Sequence, residues 1–278
     1  MAQILPNFII IGAMRSGTTS LARYLGAHPQ VFMAAKKEVH FFDFHFDRSL
    51  DWYARHFARA GGKTAVGEAT PGYMYNERAI ARMARLVPQA RLIVVLRNPV
   101  DRAYSHYWLN RARGHEPLDF AAAIAVEPER LANPKLEFGR RGVYLEGSRY
   151  LKYLLRVCRY YPRSALHVVI FEDLRDEPRA VYAAVCRFLG VGESFLPPNL
   201  GRPINRFVAF RSLGLRNLGR RLPRPLRRVV DRLNVREASY PPLDSALRKA
   251  LQEQFAGENA ALAAWLSRDL SIWSESGA

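Results

Sequence analysis

The sequence predicts an α/β fold of three layers, a central and mostly parallel sheet with helices on both faces. Three observations carry this. Continuous apolar runs at residues 8–11, 91–96 and 166–171 alternate with amphipathic segments, as strands buried on both faces do. The first run leads into Gly12-Ala13-Met14-Arg15-Ser16-Gly17-Thr18-Thr19-Ser20, a glycine-rich turn that opens a helix. The 278 residues are 49% hydrophobic and 12% aromatic, enough for a sizeable core and against global disorder.

The elements follow in order. Residues 8–11 form a strand and 18–26 a helix that ends before His28-Pro29. Residues 31–33 are a short apolar piece, then comes the polar and aromatic run Lys36-Lys37-Glu38-Val39-His40-Phe41-Phe42-Asp43. A short helix at 51–57 and a small strand at 64–67 precede a helix at 79–87, which Pro88 stops. After the strand at 91–96, Asn98-Pro99 starts a helix that runs to residue 113, with Gly114 as its stop. A long amphipathic helix is expected over 145–161, a core strand over 166–171 and a helix over 178–189 closed by Gly190.

Composition shifts at Leu196-Pro197-Pro198. Between positions 202 and 236 there are eleven arginines and one acid, Asp231. Leu213, Leu215, Leu218, Leu222 and Leu226 are interleaved, and Pro223 and Pro225 interrupt any long helix. Residues 243–266 form a closing helix. No repeat and no second domain is seen, so residues 1–278 are expected to form one domain with the basic segment 196–240 inside it.

The net charge of +17 favours an anionic partner such as a nucleotide, a sulfated or phosphorylated glycan, nucleic acid or acidic lipid. The plain alternative is a solvated basic surface. Cys158 and Cys186 lie among apolar residues and read as buried free thiols, not as a disulfide framework or metal site. No apolar run reaches the roughly 18–20 residues that cross a bilayer, and the N-terminus lacks a signal-peptide layout. A cytoplasmic protein is therefore expected.

Three constellations carry chemistry. Gly12-x4-Gly17 matches the first part of a nucleotide-binding P-loop, with Thr18 in the place of its lysine. Arg15, Ser16, Gly17, Thr18, Thr19 and Ser20 would cradle a phosphate at a helix N-terminus. Arg97 directly follows a core strand, where ligands of open parallel sheets collect, and Ser105 lies two turns further along the helix. A guanidinium and a hydroxyl there suit a second phosphate, unless Arg97 merely pairs with Asp101. Two phosphates on one sheet edge imply an adenosine bisphosphate. In the third run, Glu38 and His40 share a face if the backbone is extended. Glu38 is then a candidate general base and Lys37 a partner for developing negative charge, the alternative being a surface salt-bridge cluster.

These motifs, with His28-Pro29, Glu68-Ala69-Thr70-Pro71-x-Tyr73, Phe171-Glu172-Asp173-Leu174 and the ending Asp269-Leu270-Ser271-x-Trp273, resemble the PAPS-dependent sulfotransferases over nearly the whole chain. The branch they resemble is that of the heparan-sulfate glucosaminyl sulfotransferases and their bacterial relatives. The resemblance implies a P-loop-like sulfotransferase fold and a PAPS (3′-phosphoadenosine-5′-phosphosulfate) co-substrate, released as PAP. It implies donor binding by Arg15 to Ser20, with Arg97 and Ser105 on the 3′-phosphate. It places the base at Glu38, with His40, Asp43 and Tyr73 on the acceptor side, and adds Tyr144, Arg206 and Arg211 to the nucleotide contacts. The carbohydrate branch often has a lysine where this sequence has Ala69, and Lys36 or Lys37 would stand in for it. The eukaryotic disulfide loop has no cysteine pair here. No metal is implied. The acceptor would be a glycan, a glycolipid or another small molecule bearing a hydroxyl or amine. No nucleic-acid partner is implied, and peripheral contact with acidic lipid stays open.

Two other readings compete. In a P-loop small-molecule kinase, Glu172-Asp173 would hold Mg²⁺ at a strand end, but Thr18 replaces the P-loop lysine. A non-enzymatic binder of anionic polymers would account for the charge and would leave Glu38 without a role.

Overall fold

A computed structural model describes residues 3–132, 142–202 and 239–274, with 208–210, 212, 214–215, 223, 226, 229–230 and 233–237 between them. Five strands form one parallel sheet: β1 Phe8–Gly12, β2 Val31–Met33, β3 Ala65–Ala69, β4 Arg91–Leu96 and β5 Leu166–Ile170, in the order β2-β3-β1-β4-β5. Every pairing in it is parallel. The side chains of β1 and β4 alternate between two cores because successive strand residues point to opposite faces. Ile9, Ile11, Leu92, Val94 and Leu96 pack on one side, against α3 Glu77–Leu86, α7 Tyr150–Cys158 and α10 Ser245–Leu266. Phe8, Ile10, Ile93 and Val95 pack on the other, against α1 Thr18–Gly26 and α9 Pro178–Leu189. These are the three layers that the continuous apolar runs require.

The chain leaves β1 toward β2 and β3 on one side of the sheet, then crosses to β4 and β5 on the other. The adjacent strands β1 and β4 therefore form the topological switch point, and the crevice beyond their carboxyl ends is where such a sheet takes a ligand.

Local signals place the flanking helices. Asn98 caps α4 Pro99–Ala112 by accepting from the Val100 and Asp101 amides, and Pro99 opens its first turn. Gly114, at φ 67°, follows its end, and Gly190, at φ 72°, closes α9. Ser49 caps α2 Leu50–Ala54. Three short helices were not anticipated: α5 Phe120–Ala125, capped by Asp119, then α6 Glu127–Ala132, and α8 Phe171–Asp176 directly after β5.

One helix is shorter than its periodicity predicts. The expected helix over 145–161 is a 3-10 turn, Glu146–Ser148, followed by α7. Arg149, at ψ 65°, breaks the path between them. The cause is tertiary. Gly147 lies against the fully buried Arg102, and the Ser148 hydroxyl donates to the Pro99 carbonyl, 2.8 Å. Cys158 and Cys186 are free thiols; Cys186 is buried and Cys158 only half-buried. A short antiparallel pair, β6 Val208–Phe210 and β7 Val235–Glu237, lies in the basic segment. Among the described residues no helix is long and apolar enough to cross a membrane.

Candidate active site

The loop after β1 lies at the switch point. A register shift between Ile10 and Gly12 turns the strand end, and the Ala13 amide rejoins the sheet on the Val95 carbonyl, 2.8 Å. Gly12 has no room for a side chain, since a Cβ would lie 2.4 Å from the Met74 sulfur. Gly17 sits at φ 89° with a Cβ position 2.8 Å from the Phe171 ring, so only glycine is free of both strain and clash there. As the N-cap of α1 it offers no side chain, and no acidic residue stands in the first turn. The positive end of the helix is thereby left to an external anion.

Arginines surround this loop. Arg15 Nε donates to Ser105 Oγ, 3.1 Å, so the β1 loop and α4 meet across the crevice. Burial first, then the charges of Arg97, Arg113 and Arg102, push Arg15 down to about 10, with Tyr240 working the other way. Arg97, at the end of β4, stacks over the Phe171 ring with 4.9 Å to the centroid. Its expected local partner Asp101 is instead bound by Arg248, 2.8 Å, so the simple ion pair at the start of α4 is not formed. Three buried polar atoms in this cluster have no partner, Ser16 Oγ, Arg97 Nε and Arg102 Nη1. Among the described residues neither Arg15 nor Arg97 makes an ion pair with a carboxylate, and like charges gathered beside unpaired buried donors are costly unless an anion joins them. Arg15 to Ser20, Arg97 and Ser105 line this crevice and could hold such an anion.

Glu38 stands beyond β3. Its amide donates to the Ala69 carbonyl, 2.9 Å, which ties the 36–43 loop to the sheet's carboxyl edge. The loop is not extended, as the shared-face argument assumed. Glu38 and His40 adopt φ 60° and 56°, a left-handed conformation rare for such residues. Arg15, at φ 70°, is strained in the same way, and Ser267, at φ 52°, is the other described non-glycine residue in that region. Strain of this kind persists where surrounding structure enforces it and clusters at functional sites.

The turn still brings Glu38 and His40 together, 3.7 Å apart, and His40 Nδ1 donates to Asp43 Oδ2, 2.9 Å. Burial opposes charge on His40, but Asp43 and Glu38 outweigh it and raise the imidazole to about 9. His40 in turn is the largest cause, with Lys37 adding to it against burial, of a Glu38 carboxyl held down at about 2. Lys37 Nζ lies 2.8 Å from Glu38, while Lys36 lies over the Trp52 ring, 5.5 Å from its centroid. Of the two lysines considered in place of the residue missing at Ala69, Lys37 is the one beside Glu38.

Two other expected contacts are buried side chains. Tyr73 is fully buried and donates to Glu68, 3.2 Å. Tyr144 is fully buried too, with its hydroxyl on Glu116, 2.7 Å, and its carbonyl accepting from Arg102. Arg206 and Arg211 lie outside the described residues.

Three residues of the site stand in or beside the sequence motifs but receive no role from them. Phe171 forms the floor under Arg97 and Gly17. Arg102 reaches from α4 to the Tyr144 carbonyl and to Ser148 Oγ, 2.7 Å. Glu68, pushed up by burial, takes hydroxyls from Tyr53, Thr70 and Tyr73 and fixes the end of β3. Glu172 and Asp173 are engaged elsewhere. Glu172 accepts from the Asn98 amide and from Trp273 Nε1, both at 3.0 Å, and Asp173 pairs with Arg268.

The sequence model of the sulfotransferase domain family matches residues 5–199. A bifunctional heparan sulfate N-deacetylase/N-sulfotransferase 3 from Homo sapiens is 29% identical over 95% of this chain and 30% of its own length. A membrane-associated sulfotransferase, kil1, from Dictyostelium discoideum is 40% identical over 45% of this chain and 28% of its own. The chain thus spans only 28% and 30% of the length of these curated relatives. Among solved structures, a sulfotransferase from Alicyclobacillus acidocaldarius superposes with a TM-score of 0.76 at 29% identity, over 98% of this chain and 100% of that one.

Proposed function

This chain belongs to the sulfotransferase domain family, and from that premise we propose that it moves a sulfonate from PAPS to a hydroxyl or amine of a glycan, glycolipid or glycosylated metabolite, with Glu38 as the general base. The observation that carries the reading is the arginine cluster at the switch point. Arg15 and Arg97 emerge from β1 and β4, the contact from Arg15 to Ser105 joins the two loops, and Ser16 and Arg97 hold unpartnered buried donors. Such a cluster matches a nucleotide with anionic groups at both ends.

The donor supplies an activated sulfonate whose leaving group is already a stabilised anion. Arg15 and the first amides of α1 stabilise charge on the 5′ side, where it grows during transfer. Arg97 and Ser105 fix the 3′ end and so set the direction of attack. Glu38 takes the proton from the acceptor as the new sulfur–oxygen or sulfur–nitrogen bond forms. In the resting site its carboxylate is a weak base, clamped by Lys37 and charged His40. Turning Lys37 from Glu38 to the incoming sulfonate removes the lesser of these two clamps, His40 being the larger, and neutralises the transferred group in one movement. The glycan class of acceptor is supported by the relatives named for heparan sulfate N-sulfotransferase.

The test is a transfer assay with radiolabelled PAPS and three acceptors: an N-unsubstituted glucosaminoglycan, a glycolipid and a simple phenol. Label is expected on a sugar-bearing acceptor, with one adenosine 3′,5′-bisphosphate released per sulfonate. Label on the phenol alone would contradict the acceptor class. Transfer of the ATP γ-phosphate would replace the reading with that of a kinase.

A further inference from the structure

The turn over residues 38–43 is gripped at one residue by two side chains distant in sequence. The Phe42 amide donates to Tyr73 Oη, 3.4 Å, and the Phe42 carbonyl accepts from Arg82 Nη1, 2.7 Å. Both partners come from the chain after β3, Tyr73 from the 3-10 turn Tyr73–Tyr75 and Arg82 from α3. Arg82 also lies over the Phe46 ring, 4.1 Å from its centroid. Tyr73 is anchored in turn, because its hydroxyl donates to Glu68 Oε1, 3.2 Å. The same carboxyl takes the hydroxyls of Tyr53, 2.7 Å, and Thr70, 2.6 Å. Glu68 and Tyr73 are fully buried, and a buried polar network satisfied in this way is rigid.

What is gripped is a turn that its own backbone disfavours. Glu38 and His40 stand at φ 60° and 56°, and such conformations persist only where surrounding contacts over-determine them. The Glu38 amide on the Ala69 carbonyl fixes the start of the turn. The His40 carbonyl accepts from the Phe44 and His45 amides, which closes the turn on itself but ties it to nothing else. Phe42 is where its far end meets the rest of the molecule. The turn rests there on Gly72, whose Cβ position lies 3.8 Å from both Asp43 Oδ2 and His40 Cε1.

We propose that Arg82 and Tyr73 are positioning residues: by holding the Phe42 carbonyl and amide they maintain the turn that sets His40 between Glu38 and Asp43. Neither acts on the reacting atoms. The catalytic consequence rests on the reading of Glu38 as the base, whereas the grip is a property of the free protein.

NMR titration of the His40 imidazole in the full chain, with its signal assigned by the loss in His40→Gln, reads the grip without donor or acceptor. Glu38 and Asp43 face this ring, with Lys37 beyond Glu38 and the Phe44 and Tyr73 rings packed against it. In the wild type the two carboxylates raise it to about 9. Arg82→Met keeps the apolar stem and Tyr73→Phe keeps the ring. Each is expected to lower the His40 midpoint by about one pH unit or more, toward the ordinary imidazole value of about 6.5, as the ring leaves its carboxylates. Loss of the Arg82 charge alone would raise it, so the sign separates position from charge. Tyr53→Phe removes a buried hydroxyl from the same Glu68 carboxyl but none from the turn, and is expected to leave His40 as it is. In transfer, Arg82→Met and Tyr73→Phe are expected to lose about tenfold or more in kcat, with the affinity for adenosine 3′,5′-bisphosphate unchanged. Three outcomes would overturn the proposal: His40 titrating as in the wild type in both variants, Tyr53→Phe lowering it as much, or a rise in acceptor KM alone, which would make the residue an acceptor contact. A wild type that transfers no sulfonate would overturn the sulfotransferase reading instead, and the imidazole titration would still decide the grip.

Discussion

Glu38→Gln is expected to lower turnover by at least about a hundredfold, the lower bound for a positioned general base, with the affinity for adenosine 3′,5′-bisphosphate unchanged. The amide keeps the size of the carboxylate and cannot take a proton. Glu38 lies on the loop that hangs from the Ala69 carbonyl of β3, whereas the arginine cluster follows β1 and β4. Nucleotide binding therefore does not depend on it. Stability should change little as well, since Glu38 and Lys37 are both exposed and exposed pairs contribute about 0–1 kcal/mol. Single-turnover transfer and nucleotide calorimetry on the same preparation separate the two effects. Full turnover in the variant would place the base elsewhere.

Arg15→Ala should reduce transfer by about 10²–10³-fold, the cost of removing one preorganised donor from a developing charge. Arginine already occupies the left-handed conformation at φ 70°, so alanine adds little new backbone strain. The variant also relieves the mutual repulsion of Arg15 with Arg97, Arg102 and Arg113. The empty protein should thus be no less stable, and the loss should appear only with donor bound. Arg15→Lys keeps the charge and loses the planar fork, so partial recovery is expected. Equal transfer by wild type and Arg15→Ala, measured as sulfonate incorporated per minute, would remove Arg15 from the chemistry.

Much of this was legible in the chain because it is written locally. The strands are continuous apolar runs, and their carboxyl ends point out Arg15 and Arg97 without any contact map. Gly114 and Gly190 mark helix ends through their left-handed φ. The short helices α5, α6 and α8 are not legible because six residues carry too little periodicity. Residues 145–149 read as helix until Arg102 and Pro99, more than forty positions away, impose the 3-10 turn.

The site divides in the same way. Glu38 was found by residue type and spacing, but its contact with His40 depends on two left-handed residues that no alternation pattern announces. The release of Arg97 from Asp101 required Arg248, which arrives from α10. Phe171 and Glu68 act through neighbours distant in sequence. Their roles emerge only when the sheet brings the carboxyl ends of β1, β3, β4 and β5 side by side.

The central claim is that the crevice holds a nucleotide by a phosphate at each end. Calorimetry of adenosine 3′,5′-bisphosphate against adenosine 5′-phosphate, for the wild type and Arg97→Ala, measures it directly. Losing the 3′-phosphate should weaken wild-type binding by roughly tenfold or more, the value of a charge-assisted hydrogen bond. Arg97→Ala should bind the two nucleotides alike. Equal wild-type affinity for both, or tighter binding of ATP with Mg²⁺, would contradict the account.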